Sequence, residues 1–240
     1  MRAAAVASGA VNFDCVFLTH LHSDHITDLN DLVTTRWVMS AAENPLKVIG
    51  PHGTQDLVAR TLTMLEPDIA YRLAHHRTLT WPPRCEVTEI DVGDEPTVVT
   101  DGAVRVLAAA TDHAPVRPSI GYRVEADGSS VVIAGDTIPC SGLDSLCAHA
   151  DAYVQTVINT SMVKMIPAAR LQDILDYHSS VQDAAVTAQR AGVAILVMTH
   201  PVPPPIPGTE QDWIDEAAAI YEGEIHLAED LLTIEVPHAT

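Results

Sequence analysis

The chain has 240 residues, 47% of them hydrophobic and 4% aromatic, which is enough to bury a core and reads as a single α/β domain over 1–240. Thirteen Lys and Arg against 32 Asp and Glu give a formal net charge of −19, which argues against nucleic-acid binding through a basic patch. No apolar run approaches the roughly 20 residues of a transmembrane helix, and Cys15, Cys85, Cys140 and Cys147 lack Cys-x-x-Cys or disulfide-like spacing, so the expected compartment is the reducing cytoplasm.

Residues 1–10 carry one Arg, small residues and a short apolar patch that faintly imitates a signal peptide; a helix ending at Gly9 is the preferred reading. The apolar run from Asp14 to Leu18 predicts a buried strand, and Asp28 to Met39 predicts a helix. Between them stands Thr19-His20-Leu21-His22-Ser23-Asp24-His25, three imidazoles and a carboxylate on a strand-to-helix turn. His20 and His22, two apart on an extended segment, face one side and can share one ion, while Asp24 and His25 lie past the bend and can reach a second. Zinc takes such nitrogen and oxygen ligands at about 2.0–2.2 Å, usually four to an ion. Four local ligands cannot complete two shells, so other turns must supply the rest.

Three turns at strand ends offer them: His113 after the run Val104 to Ala110, Asp136 after Ser130 to Ala134, and His200 after Val193 to Met198. Hairpins are predicted around Asp101-Gly102 within 97–110 and Asp127-Gly128 within 120–134. Helices are predicted at 54–65, 142–149, 180–191 and 212–222, with Thr54, Ser179 or Ser180, and Asp212 as N-caps and Gly192 and Gly223 as stops. Residues 225–236 read as a closing strand pair, and the Pro-rich stretch 201–207 as a loop bordering the cleft. Cys140, four residues past Asp136, reads as an ordinary buried cysteine rather than a site residue.

On the His-x-His-x-Asp-His motif and the His, Asp and His that follow it, the chain resembles the metallo-β-lactamase superfamily of metal-dependent hydrolases from Phe17 to about Val236. The resemblance implies an αββα sandwich in which His20, His22 and His113 hold one zinc, Asp24, His25 and His200 hold a second, and Asp136 bridges both. Manganese or iron are alternatives to zinc. The Gly135-Asp136-Thr137 bridge argues against a true β-lactamase. Gly50-Pro51-His52-Gly53-Thr54, Ser119-Ile120-Gly121-Tyr122 and His178-Ser179-Ser180 look like motifs of the ribonuclease Z-like branch. In that branch the last His assists catalysis, which makes His178 a candidate proton donor or transition-state stabiliser; a surface histidine ahead of a helix cap is the plainer reading. Asp24 is expected to bind metal and orient the attacking water. Relatives of this kind are usually dimers, so a homodimer is implied.

The chain departs from the pattern in places. Residues 114–135 leave no room for the arm with which ribonuclease Z grips tRNA, and Gln155 and Thr156 stand where the strand usually ends in a Glu. The His-rich motif begins at residue 20, whereas relatives carry several strands ahead of it, so the N-terminal strands are expected to be missing or reduced. The leading expectation is a dinuclear zinc hydrolase cleaving phosphodiester bonds, with RNA disfavoured by charge. The alternatives are a small-ester hydrolase, of the acyl-homoserine lactonase or arylsulfatase kind, and a catalytically silent metal-binding module.

Overall fold

The computed structural model describes Phe13 and residues 15–237. The helix expected before Gly9 lies outside the described residues. The chain divides into two units, residues 1–91 and 92–240.

In the first unit the parallel strands β1 (Cys15–Phe17), β2 (Leu46–Gly50) and β3 (Cys85–Glu89) form a sheet in that order. Because all three run the same way, the His-rich segment after β1 and the Gly-Pro-His-Gly-Thr turn after β2 leave the same sheet edge. The Leu18 amide donates to Ile49 O at 2.8 Å, so pairing persists up to the His-rich motif. The helices α1 (Ser23–Ile26) and α2 (Leu29–Met39) follow. α2 buries Leu29, Leu32, Val33 and Trp37 at helical spacing, and its leucines and Val33 pack with Leu18, Leu46, Val48 and Val58.

The helix expected over 54–65 in fact runs from Thr54 to His75 as α3, straight past Pro67. Proline removes one backbone donor and crowds the preceding turn. Beyond it Ile69-Ala70-Tyr71-Arg72-Leu73-Ala74 is a good helical sequence, and Arg72 Nε donates to Asp68 Oδ2 at 2.7 Å across one turn. The N-cap is Gly53 at φ 101° rather than Thr54, whose hydroxyl donates instead to Pro51 O at 2.7 Å. A Cβ at Gly50 would stand 2.5 Å from Thr54 Oγ1, so this turn needs glycine for close approach as well as for a left-handed backbone. The Glu89 carboxylate, at the end of β3, accepts from the amides of Gly53 at 2.8 Å and Gln55 at 2.9 Å and so caps α3 from across the sheet edge.

In the second unit seven strands are ordered β10-β9-β8-β7-β6-β5-β4. They are β4 (Thr97–Thr100), β5 (Val104–Ala110), β6 (Ile120–Ala126), β7 (Ser129–Ile133), β8 (Ala152–Ile158), β9 (Ile195–Val202) and β10 (Glu224–Leu227). Both Asp-Gly hairpins form; Asp127 at φ 51° and Gly128 at φ 81° make the second turn tight. Since β6 is antiparallel to β5 and β7, and β7, β8 and β9 are mutually parallel, β5, β7, β8 and β9 all end on one edge.

The helices α4 (Ser141–Cys147), α6 (Val181–Ala191) and α7 (Glu210–Ala218) cover one face of this sheet; the short α5 (Thr160–Lys164) follows β8. α6 presents Val181, Ala184, Ala185 and Ala188 to Tyr153, Leu196 and Met198, and starts at a capping box in which Ser180 and Asp183 serve each other's amides. Gly192 at φ 68° ends it as expected. α4 stops at Cys147, two residues short of the expected 149. α7 begins after Thr209, not at Asp212, which lies in its first turn, and ends at Ala218, ahead of Gly223. The expected closing strand pair is a single strand, β10. Ile234 and Val236 lie on Ala152, Ile195 and Val197 instead of pairing, so their apolar character serves packing. No helix among the described residues is long and apolar enough to cross a membrane, and no disulfide joins the four cysteines.

Candidate metal centre

Each unit gathers part of the predicted ligand set at the edge where its strands end. In the first unit His20 is fully buried and its Nε2 stands 3.2 Å from Nδ1 of His22, as two side chains on one side of an extended segment should. The Thr19 hydroxyl lies 3.1 Å from His20 Nδ1 and fixes that ring. The backbone turns into α1 at His22, and the turn brings the His25 ring centroid to 4.2 Å from that of His20. Asp24, exposed, places Oδ2 3.6 Å from His25 Nε2. Two imidazole nitrogens on one tetrahedral zinc at about 2.0–2.1 Å stand about 3.3–3.4 Å apart. The His20–His22 separation fits that ion.

In the second unit the turns after β5 and β7 are tied together. Thr137 Oγ1 accepts from the Asp112 amide at 3.0 Å and is within bonding distance of Asp112 O at 3.1 Å, and Ile138 pairs with Asp112. Gly135 at φ 68° makes the bend that leaves Asp136 almost fully buried at the sheet edge. The Gly135 carbonyl accepts from Gln155 Nε2 at 3.2 Å and Thr156 Oγ1 at 3.1 Å, so the residues that depart from the familiar Glu hold the Asp136 turn in place.

His113 is fully buried. Its Nδ1–H donates to the Tyr177 carbonyl at 2.8 Å, because a carbonyl can only accept, which leaves the Nε2 lone pair facing Asp136 Oδ2 at 3.8 Å. That distance is too long for a hydrogen bond and suits two ligands of one cation. A histidine held through its other nitrogen in this way is a typical metal ligand.

His178 joins the same group. Its Nδ1 lies 3.0 Å from Ile174 O and its Nε2 3.2 Å from Asp136 Oδ2, so both ring nitrogens face acceptors. It is not a surface histidine ahead of a cap: the neighbouring Ser179 hydroxyl donates to Thr137 O at 2.7 Å, and Ser180 pairs with Ile158 at the end of β8. His200 stands on β9 at φ 47°, next to the register shift between β8 and β9. A left-handed backbone at a non-glycine strand residue is a strained arrangement of the kind found at functional sites.

Sequence reasoning missed Tyr177. Its carbonyl orients His113, its ring is 4.6 Å from that of His178 and 5.2 Å from that of His113, and burial followed by the carboxylates of Asp173, Asp136 and Asp176 raises its phenol above the usual range. A backbone carbonyl acting as an orienting group leaves no mark in a sequence. Gln155 was visible only as a departure, and its role depends on where Gly135 O points.

Donors in both units are imidazole nitrogens and carboxylate oxygens without a thiolate, a set that suits zinc, manganese or iron. A family model described as a beta-lactamase superfamily domain matches residues 2–201. Ribonuclease Z of Mycobacterium bovis (strain BCG / Pasteur 1173P2) is 52% identical over 237 residues, 98% of this chain and 84% of that protein. A putative ribonuclease Z of Mycobacterium tuberculosis (strain CDC 1551 / Oshkosh) is 52% identical over 223 residues, 92% of this chain and 98% of that protein. Among solved structures, human tRNase Z, short form, has a TM-score of 0.63 at 24% identity, covering 95% of this chain and 80% of that one. YhfI of Bacillus subtilis, a metallo-beta-lactamase fold protein, has a TM-score of 0.63 at 21% identity, covering 94% and 80%.

Proposed function

Because the chain belongs to the metallo-β-lactamase superfamily, shares its mixed α/β fold and is a metal-dependent, endoribonuclease-like hydrolase, we propose that it cleaves phosphodiester bonds in RNA as a ribonuclease Z. The observation that carries this reading is the 52% identity to a ribonuclease Z across 98% of the chain. It outweighs the net charge of −19, because bound cations would supply positive potential where the scissile phosphate must sit. The two units act as one catalytic domain in this reading. By the resemblance, His20, His22 and His113 would hold one zinc, Asp24, His25 and His200 would hold a second, and Asp136 would be a ligand shared by both.

Divalent ions held there supply Lewis-acid polarisation of the phosphoryl oxygen and lower the pKa of bound water toward 7. The chain's own residues do the rest. Tyr177 O keeps the His113 proton on Nδ1 and so keeps Nε2 available as a ligand. Ile174 O likewise fixes Nδ1–H of His178, whose Nε2 proton, 3.2 Å from Asp136 Oδ2, is placed to pass to the leaving oxygen. The exposed Asp24 carboxylate orients the attacking water. A homodimer in the cytoplasm completes the proposal by resemblance.

The test is a substrate panel on metal-loaded protein: precursor tRNA, bis(p-nitrophenyl) phosphate, an acyl-homoserine lactone and an aryl sulfate. Cleavage of the first two is expected, with Asp136→Ala at least about 10³-fold slower and depleted of metal by elemental analysis, since it removes a bridging ligand. Activity confined to the lactone or the sulfate overturns the reading in favour of the small-ester alternative.

A further inference from the structure

Between residues 92 and 240 the chain has six basic side chains, Arg105, Arg117, Arg123, Lys164, Arg170 and Arg190. Four of them are in ion pairs: Arg105 and Arg123 with Glu125, Arg117 with Asp112, and Arg190 with Asp144. Lys164 and Arg170 are in no ion pair among the described residues, and both are exposed. They share one stretch, residues 160–177, which leaves the end of β8 and delivers His178.

The segment is built as an extension of the catalytic edge. Gln172 Nε2 donates to Ile166 O at 2.8 Å and approaches Lys164 O at 3.4 Å, folding the end of α5 against the 3₁₀ turn of Ala169–Leu171 that carries Arg170. The next turn, Asp173–Asp176, supplies the Ile174 carbonyl to His178, and Tyr177 O serves His113. The segment's own carboxylates, Asp173 and Asp176, lie on that second turn beside Tyr177 rather than pairing with Lys164 or Arg170. Two large apolar side chains, Met165 at 74% and Leu171 at 46% exposure, flank the cations. Cations on such a segment can track the phosphates of a strand, and the exposed apolar side chains beside them offer its bases a surface away from water.

We infer that residues 160–177 form the surface on which the RNA strand lies, with Lys164 and Arg170 on phosphates flanking the scissile bond and Met165 and Leu171 against bases. This assignment rests on the proposed ribonuclease activity and adds the element that recognises its substrate. It gives a chain without the tRNA-gripping arm a local means of holding a polyanion.

The experiment measures precursor tRNA cleavage by the metal-loaded full chain between 50 and 200 mM salt. Each phosphate contact to a single strand contributes about −0.7 to the slope of log affinity against log salt. Lys164→Gln/Arg170→Gln is therefore expected to raise KM, leave kcat essentially unchanged and flatten the slope by about 1.4, so that the wild type loses about sevenfold more than the variant across that range. Lys164→Arg/Arg170→Lys should restore the slope. Arg60→Gln, which removes a cation from the exposed side of α3, should not alter it. An unchanged slope in the double variant, or an equal change in Arg60→Gln, overturns the assignment. A wild type that cleaves no RNA overturns the functional reading beneath it instead.

Discussion

Gln155→Glu restores the residue type that the wider family places near the end of this strand, and the structure argues that it harms this chain. Gln155 is fully buried; its amide donates to Gly135 O at 3.2 Å and Thr156 O at 2.8 Å and its carbonyl accepts from Tyr153 OH at 2.6 Å. Tyr153 remains a donor because burial raises its phenol well above the ordinary range. An ionised carboxylate would face two carbonyl oxygens with nothing to donate, so the folded variant keeps the side chain protonated and its pKa rises. One donor bond is then lost, at about 1–3 kcal/mol for the orphaned carbonyl. The unfolded chain ionises normally, near 4.3, so above that pH the variant loses a further 1.4 kcal/mol or so per pH unit. The folded pKa is the raised one, so the variant is nearest to wild type below about pH 4.3 and falls behind as pH increases. From pH 5 to pH 7 the deficit should widen by about 2.7 kcal/mol, or about 5–10 °C in Tm for a chain of this size. Thermal melts of both proteins at the two pH values measure this directly. A deficit that is absent, or that does not grow with pH, would refute the reasoning that Gln155 is a required donor to the Asp136 turn.

Other substitutions probe the same account. His178→Ala should lower kcat on a diester by about 10²–10⁴ while metal content stays at the wild-type level, because the proposal makes His178 a proton donor to the leaving oxygen and not a ligand; loss of metal would assign it as a ligand. Thr187→Val should raise stability by about 1 kcal/mol, or 2–4 °C, since the buried Thr187 hydroxyl has no hydrogen-bond partner among the described residues; a lower Tm would contradict this. Amides of Gln55 and Gly53, with His52, hold Glu89 below the usual carboxylate range, so its contribution to stability is present above its unfolded pKa and is lost as pH falls through the lower folded value. Glu89→Gln should therefore melt below wild type at neutral pH, with the gap closing on acidification. A gap constant from pH 7 to pH 3 would show that the charge on α3 plays no part.

Much of this site is legible in sequence because its rules are local. A strand followed by His20, His22, Asp24 and His25 sets spacing and direction within six residues, and the structure links all four side chains by contacts as that spacing requires. Gly192 announces a helix stop for the same reason, and both Asp-Gly hairpins close where they stand in the chain. Local rules also mislead. The helix expected over 54–65 runs on through Pro67 because the sequence after it sustains α3, and the apolar tail at 234–236 reads as a strand until packing claims it.

By itself, then, the sequence determined which residue types stand at the turns after β1, β5 and β7 and on β9, because ligand chemistry and turn geometry are encoded within a few positions. Only the tertiary structure decided what holds them. The carbonyls of Tyr177 and Ile174 orient the rings of His113 and His178, Thr137 locks the Asp136 turn to that of His113, and Gln155 and Thr156 anchor Gly135. Except for Ile174, four residues ahead of His178, these partners lie tens of residues from the groups they orient, and each contact has a backbone atom on one side, which every residue carries alike, so no local pattern of side chains could have disclosed them.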